Sequence, residues 1–194
     1  MKYQLITLLS VAAAMVAARA VLSARAAAAE DNQPPEGFTA LFNGKDLTGW
    51  KADPEGHWKA DGGVMVYDGK ARNLATEKSF GDFVLLIDWK IEKKGNSGVF
   101  LRGEPQVEIW DEQKIGSGGI YPEHHKPLKA ADKPLGQWNH MEIKLEKEMV
   151  TVHLNGELTL DNFKCKFKKP AGPIVLQHHG SPLWFKNIYI KELK

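Results

Sequence analysis

An all-β sandwich or barrel is the fold class this sequence predicts, on three observations. Apolar and polar residues alternate with period two in one segment after another. Gly and Pro punctuate those segments at fairly regular intervals. Almost no stretch carries the 3.6-residue period of an amphipathic helix, and many short strands with such turns fold as two packed sheets or a closed one.

The segments follow in chain order. Phe83, Leu85, Ile87, Trp89 and Ile91 alternate with Val84, Leu86, Asp88 and Lys90, which predicts a nine-residue strand with one strongly apolar face. Val99 and Leu101 alternate with Phe100 and Arg102, and Val107 and Ile109 with Gln106, Glu108 and Trp110. Met141, Ile143 and Leu145 alternate with His140, Glu142 and Lys144. Val150, Val152 and Leu154 continue the pattern, and Asn155-Gly156 supplies a two-residue hairpin turn before Leu158 and Leu160. Ile174 and Leu176 alternate with Val175 and Gln177, and Trp184 to Leu193 reads as the last strand. Trp50 and Trp58 read as core or edge residues. Asp111 to Gln137 breaks the rhythm with four glycines, three prolines and the pair His124-His125. A long loop of this kind in a compact domain is usually functional, and Ile115, Ile120, Tyr121 and Leu128 are expected to anchor it.

The chain has 194 residues, of which 43% are hydrophobic and 26% charged, so a globular domain with a real core is expected. The single cysteine, Cys165, excludes an intramolecular disulfide framework and a CxxC site. Residues 1–29 read as a secretory signal: Lys2 is a basic n-region, Leu5 to Ala18 an apolar run too short to span a bilayer comfortably, and Ala24 to Ala29 a small-residue cleavage region. An exported protein, periplasmic or extracellular, is therefore expected. Residues 30–36 read as a polar linker and 37–194 as one domain. The leader holds three basic residues and no acid, so the remainder has 23 basic residues against 24 acidic ones, and no basic field points to nucleic acid.

Several motifs occur together and in order: Gly37-Phe38-Thr39-Ala40-Leu41-Phe42-Asn43-Gly44-Lys45-Asp46-Leu47-Thr48-Gly49-Trp50, Phe80-Gly81-Asp82-Phe83, Gly95-Asn96-Ser97-Gly98-Val99-Phe100-Leu101-Arg102-Gly103, Val107-Glu108-Ile109, Gly136-Gln137-Trp138-Asn139 and Leu176-Gln177-His178-His179-Gly180. With this set the chain resembles the 3-keto-disaccharide hydrolase family from about Gly37 to Leu193. The resemblance implies a concanavalin A-like jelly roll of two antiparallel sheets with a sugar site on the concave face. It implies cleavage of the glycosidic bond of 3-keto-glycosides, by elimination and hydration or by net hydrolysis, and an oligosaccharide or glycoside as partner.

Strand parity then places side chains. With Val99, Leu101, Val107, Ile109, Ile174 and Leu176 inward, Arg102, Glu108, Trp110, Gln177 and His179 are expected on the concave face. Charged and amide groups that bind hydroxyls, beside an aromatic plate, suit a sugar. Glu108 and His179 are the candidate bases and Arg102 the candidate stabiliser of an oxyanion. Gln177, His178, Trp110, Asn96, Ser97, Tyr121 and His124 complete the expected binding set, although turn chemistry alone also explains Asn96 and Ser97. No cofactor is required; one histidine of each pair with Glu108 leaves room for a divalent metal if the long loop folds over the sheet. A non-catalytic glycan-binding module is the alternative. An ordinary glycoside hydrolase fits less well, because Asp111 is out of phase with Glu108 on the strand. Nothing indicates a membrane partner once the leader is removed, and the oligomeric state is open.

Overall fold

The computed structural model describes residues 31–52, 56–70, 72–111 and 116–194. The expected leader falls outside them. Among the described residues there are fourteen strands, β1 (Thr39–Ala40), β2 (Trp50–Ala52), β3 (Trp58–Asp61), β4 (Val64–Tyr67), β5 (Leu74–Thr76), β6 (Phe83–Ile91), β7 (Asn96–Phe100), β8 (Gln106–Trp110), β9 (Ile120–Tyr121), β10 (Asn139–Glu146), β11 (Met149–Leu154), β12 (Glu157–Lys164), β13 (Val175–Leu176) and β14 (Leu183–Glu192), and no helix. Every pairing is antiparallel. One sheet runs β12-β11-β10-β6-β14-β4-β3 with β1 against β14, and the other β2-β5-β13-β7-β8-β9. This is a jelly-roll sandwich.

The strongest sequence pattern becomes the centre of the larger sheet. Along β6 buried and half-buried residues alternate without a break, and Phe83, Leu85, Ile87, Trp89 and Ile91 all enter the core. Each such side chain contributes about 1.5–3 kcal/mol relative to exposure. The inward residues of β7, β8 and β13 face them: Val99, Val107, Ile109 and Leu176 are fully buried. Trp50 and Trp58 are buried, and their indole N–H groups donate to the Leu41 and Arg72 carbonyls. Asn155 and Gly156 both have positive φ, the type I′ geometry whose twist matches the hairpin β11–β12.

The polar stretch read as a linker is tied down at its start. The Asn32 N–H donates to Asn187 Oδ1 at 2.7 Å, its side-chain amide to the Gly63 carbonyl at 2.8 Å, and the Lys186 ammonium reaches Asp31 at 2.7 Å. Asn187 sits in a bulge of β14 with positive φ, which turns its amide outward to meet Asp31 and Asp88.

The same outer face carries a histidine paired with an acid. His140 Nδ1 lies 2.6 Å from Asp88 Oδ1, and this hydrogen bond lifts the imidazole above its ordinary pKa, with the Asp88 and Glu142 charges adding and burial and Lys133 opposing. A raised histidine pKa gives stability that is fully present below the unfolded value near 6.5 and is lost as pH rises through the folded value. We expect His140→Gln to remove that dependence while changing stability by less than about 1 kcal/mol, because the side chain is half exposed. Chemical denaturation of both proteins between acid and mildly alkaline pH checks this: the wild-type advantage shrinks as pH rises.

Candidate functional site

The site is built on the outer face of the six-stranded sheet, around one glycine. Gly98 on β7 is paired with Glu108 on β8, and its carbonyl accepts the Gln177 N–H at 2.9 Å just beyond β13. Cross-strand partners share a face, so Glu108, Gly98 and Gln177 form one row. A side chain at Gly98 would stand 2.9 Å from the Val107 carbonyl and 2.4 Å from Gln106 Oε1. The glycine therefore lets the Gln106 amide lie across the floor. Gln106 precedes Glu108 by two residues, on the same face.

The electrostatics of this row are unusual. Glu108 is 9% exposed, yet its carboxylate makes no hydrogen bond or ion pair among the described residues. Burial raises its pKa above the usual carboxylate value, and the nearby His124 opposes that rise. Among the described residues no acidic neighbour contributes. Its backbone is fully used: the N–H donates to the Gly119 carbonyl at 3.0 Å, and its carbonyl accepts from Gly118 N–H at 2.8 Å. Gly119 lacks a Cβ where one would lie 2.6 Å from the His125 carbonyl and 3.4 Å from Glu108 Oε2, so the carboxylate has room. Gln106 and Gln177 each hold a buried side-chain oxygen without a partner. Buried polar atoms in this state mark places where a ligand or water completes the hydrogen bonding.

The row continues into an open cavity of about 580 Å³ lined by Lys70, Asn73, Gln177, His178 and His179. Asn73 Oδ1 accepts the His178 N–H at 2.9 Å and fixes the strand end there. His179 is exposed. At the other side, His124, with positive φ, meets Tyr121 edge-on with ring centroids 5.3 Å apart. Trp110 and Asn96 are cross-strand partners at the strand ends, both half-buried. The structure thus gathers Glu108, Gln177, Asn96, Trp110, Tyr121, His124, His178 and His179 on or beside one face, as strand parity requires for Glu108, Trp110 and Gln177.

Two expected site residues are placed elsewhere. Arg102 has positive φ and lies beyond β7, where the alternation no longer applies. Its guanidinium, only 6% exposed, pairs with Asp82, donates to the Gly81 and Lys147 carbonyls at 3.0 and 3.1 Å, and covers the Phe167 ring at 4.8 Å. It is spent on a structural joint and does not face Glu108. Ser97 is paired with the inward-facing Ile109, is buried, and donates its hydroxyl to the Gln177 carbonyl at 2.8 Å. It supports the site from beneath.

The long loop is anchored differently from expectation. Ile120 is fully buried, but Tyr121 and Leu128 are exposed, and Ile115 lies outside the described residues. Backbone contacts hold the loop instead: Leu128 N–H donates to the Thr159 carbonyl at 2.8 Å, and Ser117 N–H to Asp132 at 3.2 Å. His125 stacks on Phe163 at 4.3 Å rather than turning toward Glu108. Among the described residues no three His, Cys, Asp or Glu side chains group as metal ligands.

Reading the sequence alone missed three neighbours of the row. Gln106 was legible, since i and i+2 share a strand face. Lys70 and Asn73 were not, because only long-range pairing of β5 with β13 brings their loop alongside.

A family model described as a 3-keto-alpha-glucoside-1,2-lyase-like domain matches residues 37–191. A 3-keto-disaccharide hydrolase of Bacteroides thetaiotaomicron is 23% identical, over 81% of this chain and 79% of that protein. A crystal structure from Parabacteroides distasonis, of a provisionally assigned glycosyl hydrolase, aligns with a TM-score of 0.75 at 27% identity, over 85% of this chain and all of that one. The carbohydrate-binding module CBM66 of Bacillus subtilis shares the fold, with a TM-score of 0.53 at 16% identity, over 74% of this chain and 96% of that one.

Proposed function

The chain belongs to the 3-keto-alpha-glucoside-1,2-lyase-like family, and from that premise we propose that it cleaves the glycosidic bond of 3-keto-glycosides with Glu108 as the base. The observation that carries this reading is the carboxylate itself: desolvated, without a hydrogen bond or ion pair among the described residues, and set opposite a glycine on an otherwise polar sheet face. A carboxylate in that state is a stronger base than one in water.

The chemistry follows from the ketone. A carbonyl at C3 acidifies the hydrogen on C2. Glu108 takes that proton, the electron pair moves onto the C3 oxygen, and the enolate that results expels the glycosidic oxygen from C1 as the C1–C2 double bond forms. Water added across that bond gives net hydrolysis. The developing oxyanion needs donors already in place. Arg102 is too far committed to supply them, so the role passes to the side-chain N–H groups of Gln106 and Gln177, whose buried oxygens are left to accept from sugar hydroxyls. The Glu108 and Gln177 backbones are two strand spacings apart, about 10 Å, which leaves a sugar ring room between them. His179 and Lys70 line the adjoining cavity, and in this reading one of them hands a proton to the departing oxygen.

An ordinary retaining glycosidase needs a second carboxyl about 5 Å away. Asp111, the next described acid after Glu108, follows β8 out of phase with it. The exported location expected from residues 1–29 is part of the same proposal.

The test is a pair of glucosides with one chromogenic leaving group, oxidised at C3 in one and not in the other. Release from the keto substrate alone is expected. Release from the unoxidised glucoside, or from neither while sugar binding persists, overturns the reading; the second result makes the protein a glycan-binding module.

A further inference from the structure

A second cavity, of about 530 Å³, opens at one end of the sandwich. Its walls come from the ends of β6 and β8, the start of β10 and the loop between β9 and β10, and include Trp89, Trp110, Asp111, Asp132, Gln137 and Asn139. Glu108 is not among its lining residues. The volume is ordinary for a small-molecule site.

The polar groups of this cavity are incompletely used. Trp89 is 1% exposed, and its indole N–H is buried with no acceptor among the described residues. A buried donor left unpaired is costly, and an acceptor on a ligand recovers that cost. Asp111 and Asp132 each give one oxygen to the fold, accepting from the Lys94 N–H at 2.6 Å and the Ser117 N–H at 3.2 Å, and among the described residues the other has no hydrogen bond. Asn139 is fully engaged, accepting from Lys133 and Asn155 and donating to Gln137, so it shapes the wall. Trp110 adds an aromatic side chain.

This combination selects among ligand classes. An anion would meet two carboxylates against the single ammonium of Lys133. A bare cation would leave the indole N–H unpaired. A neutral polyhydroxylated ring satisfies every group: its oxygens accept from the indole, its hydroxyls donate to the carboxylates, and its C–H face packs on an aromatic surface. We propose that the end cavity is a second saccharide site that binds one neutral pyranose ring, separate from the reaction at Glu108. Trp110, two residues beyond Glu108 on β8, stands between the two places.

The experiment follows indole N–H resonances of the ¹⁵N-labelled protein, which has six tryptophans. The Trp89→Phe spectrum, or sequential assignment if that variant does not fold, identifies the Trp89 peak. On addition of D-glucose this peak is expected to shift and saturate, in the wild type and equally in Glu108→Gln. Asp132→Asn, at an exposed position, is expected to weaken the response about tenfold. A Trp89 peak that stays still overturns the proposal whatever the cleavage assay gives. A shift that vanishes in Glu108→Gln, or that Asp132→Asn leaves unchanged, overturns it too, by assigning the sugar elsewhere. A saturable Trp89 shift in a protein that cleaves no keto-glycoside keeps this site and removes the catalytic reading, so the two failures are distinct.

Discussion

Glu108→Gln is expected to lower kcat/KM on a 3-keto-glucoside by about 10²–10⁴-fold, the usual contribution of a positioned base. Gln keeps the size and the hydrogen-bonding reach of the side chain but cannot accept the C2 proton. In the wild type, kcat/KM rises with pH through a carboxylate pKa above the ordinary value, because the base acts only when ionised and burial disfavours that form. The sign for stability is opposite to the sign for activity. A carboxylate with a raised folded pKa destabilises the fold as pH climbs from the unfolded pKa through the folded one. The variant is therefore expected to be as stable as the wild type in acid and at least as stable at neutral pH. Parallel rate and unfolding measurements across pH check both halves. A Glu108→Gln protein with wild-type turnover removes Glu108 from the mechanism.

Arg102→Met is expected to do the reverse: a loss of about 3 kcal/mol in unfolding free energy, with kcat and KM of the folded protein unchanged. The guanidinium is almost fully buried and joins four groups, the Asp82 carboxylate, the Gly81 and Lys147 carbonyls and the Phe167 ring. Removing it leaves two carbonyls short of a donor and a partly buried acid without its partner. Arg102→Lys retains the charge but not the planar fork, and is expected to recover only part of the loss. Urea unfolding together with steady-state kinetics separates the two roles. A fall in kcat without a fall in stability restores Arg102 to the reaction.

These two residues show how far strand periodicity reaches. Glu108 lies within β8, flanked by inward Val107 and Ile109, so the alternation that assigned it outward holds. Arg102 continues the same apparent alternation after Leu101, but the chain leaves the sheet at Phe100, and in the turn a left-handed Arg102 sends its side chain to Asp82, Gly81, Lys147 and Phe167 instead of to the face that holds Glu108. Periodicity says which side a residue takes while the strand lasts, and nothing about where the strand stops. Ser97 shows a second limit. It lies in phase with Val99, on the inward face, and its small hydroxyl is buried because the Gln177 carbonyl stands within reach across the sheet. That partner is 80 positions away in the chain.

What the sequence determined by itself is the all-β class, the inward face of β6, the Asn155-Gly156 turn and the outward place of Glu108, Trp110 and Gln177. Each depends on local physics: a two-residue period, the positive φ of one turn, the separation of apolar from polar surface. Tertiary structure alone decided that, among the described residues, the Glu108 carboxylate has no hydrogen bond or ion pair, two amide oxygens of the row are unsatisfied, Lys70 and Asn73 join the row, and an indole N–H is stranded in the end cavity. The reason is that desolvation and hydrogen-bond satisfaction are sums over everything within a few ångströms. In an antiparallel sandwich those neighbours arrive from strands far apart in sequence, so a residue's charge state and its vacancies are set by chain that its own segment does not contain.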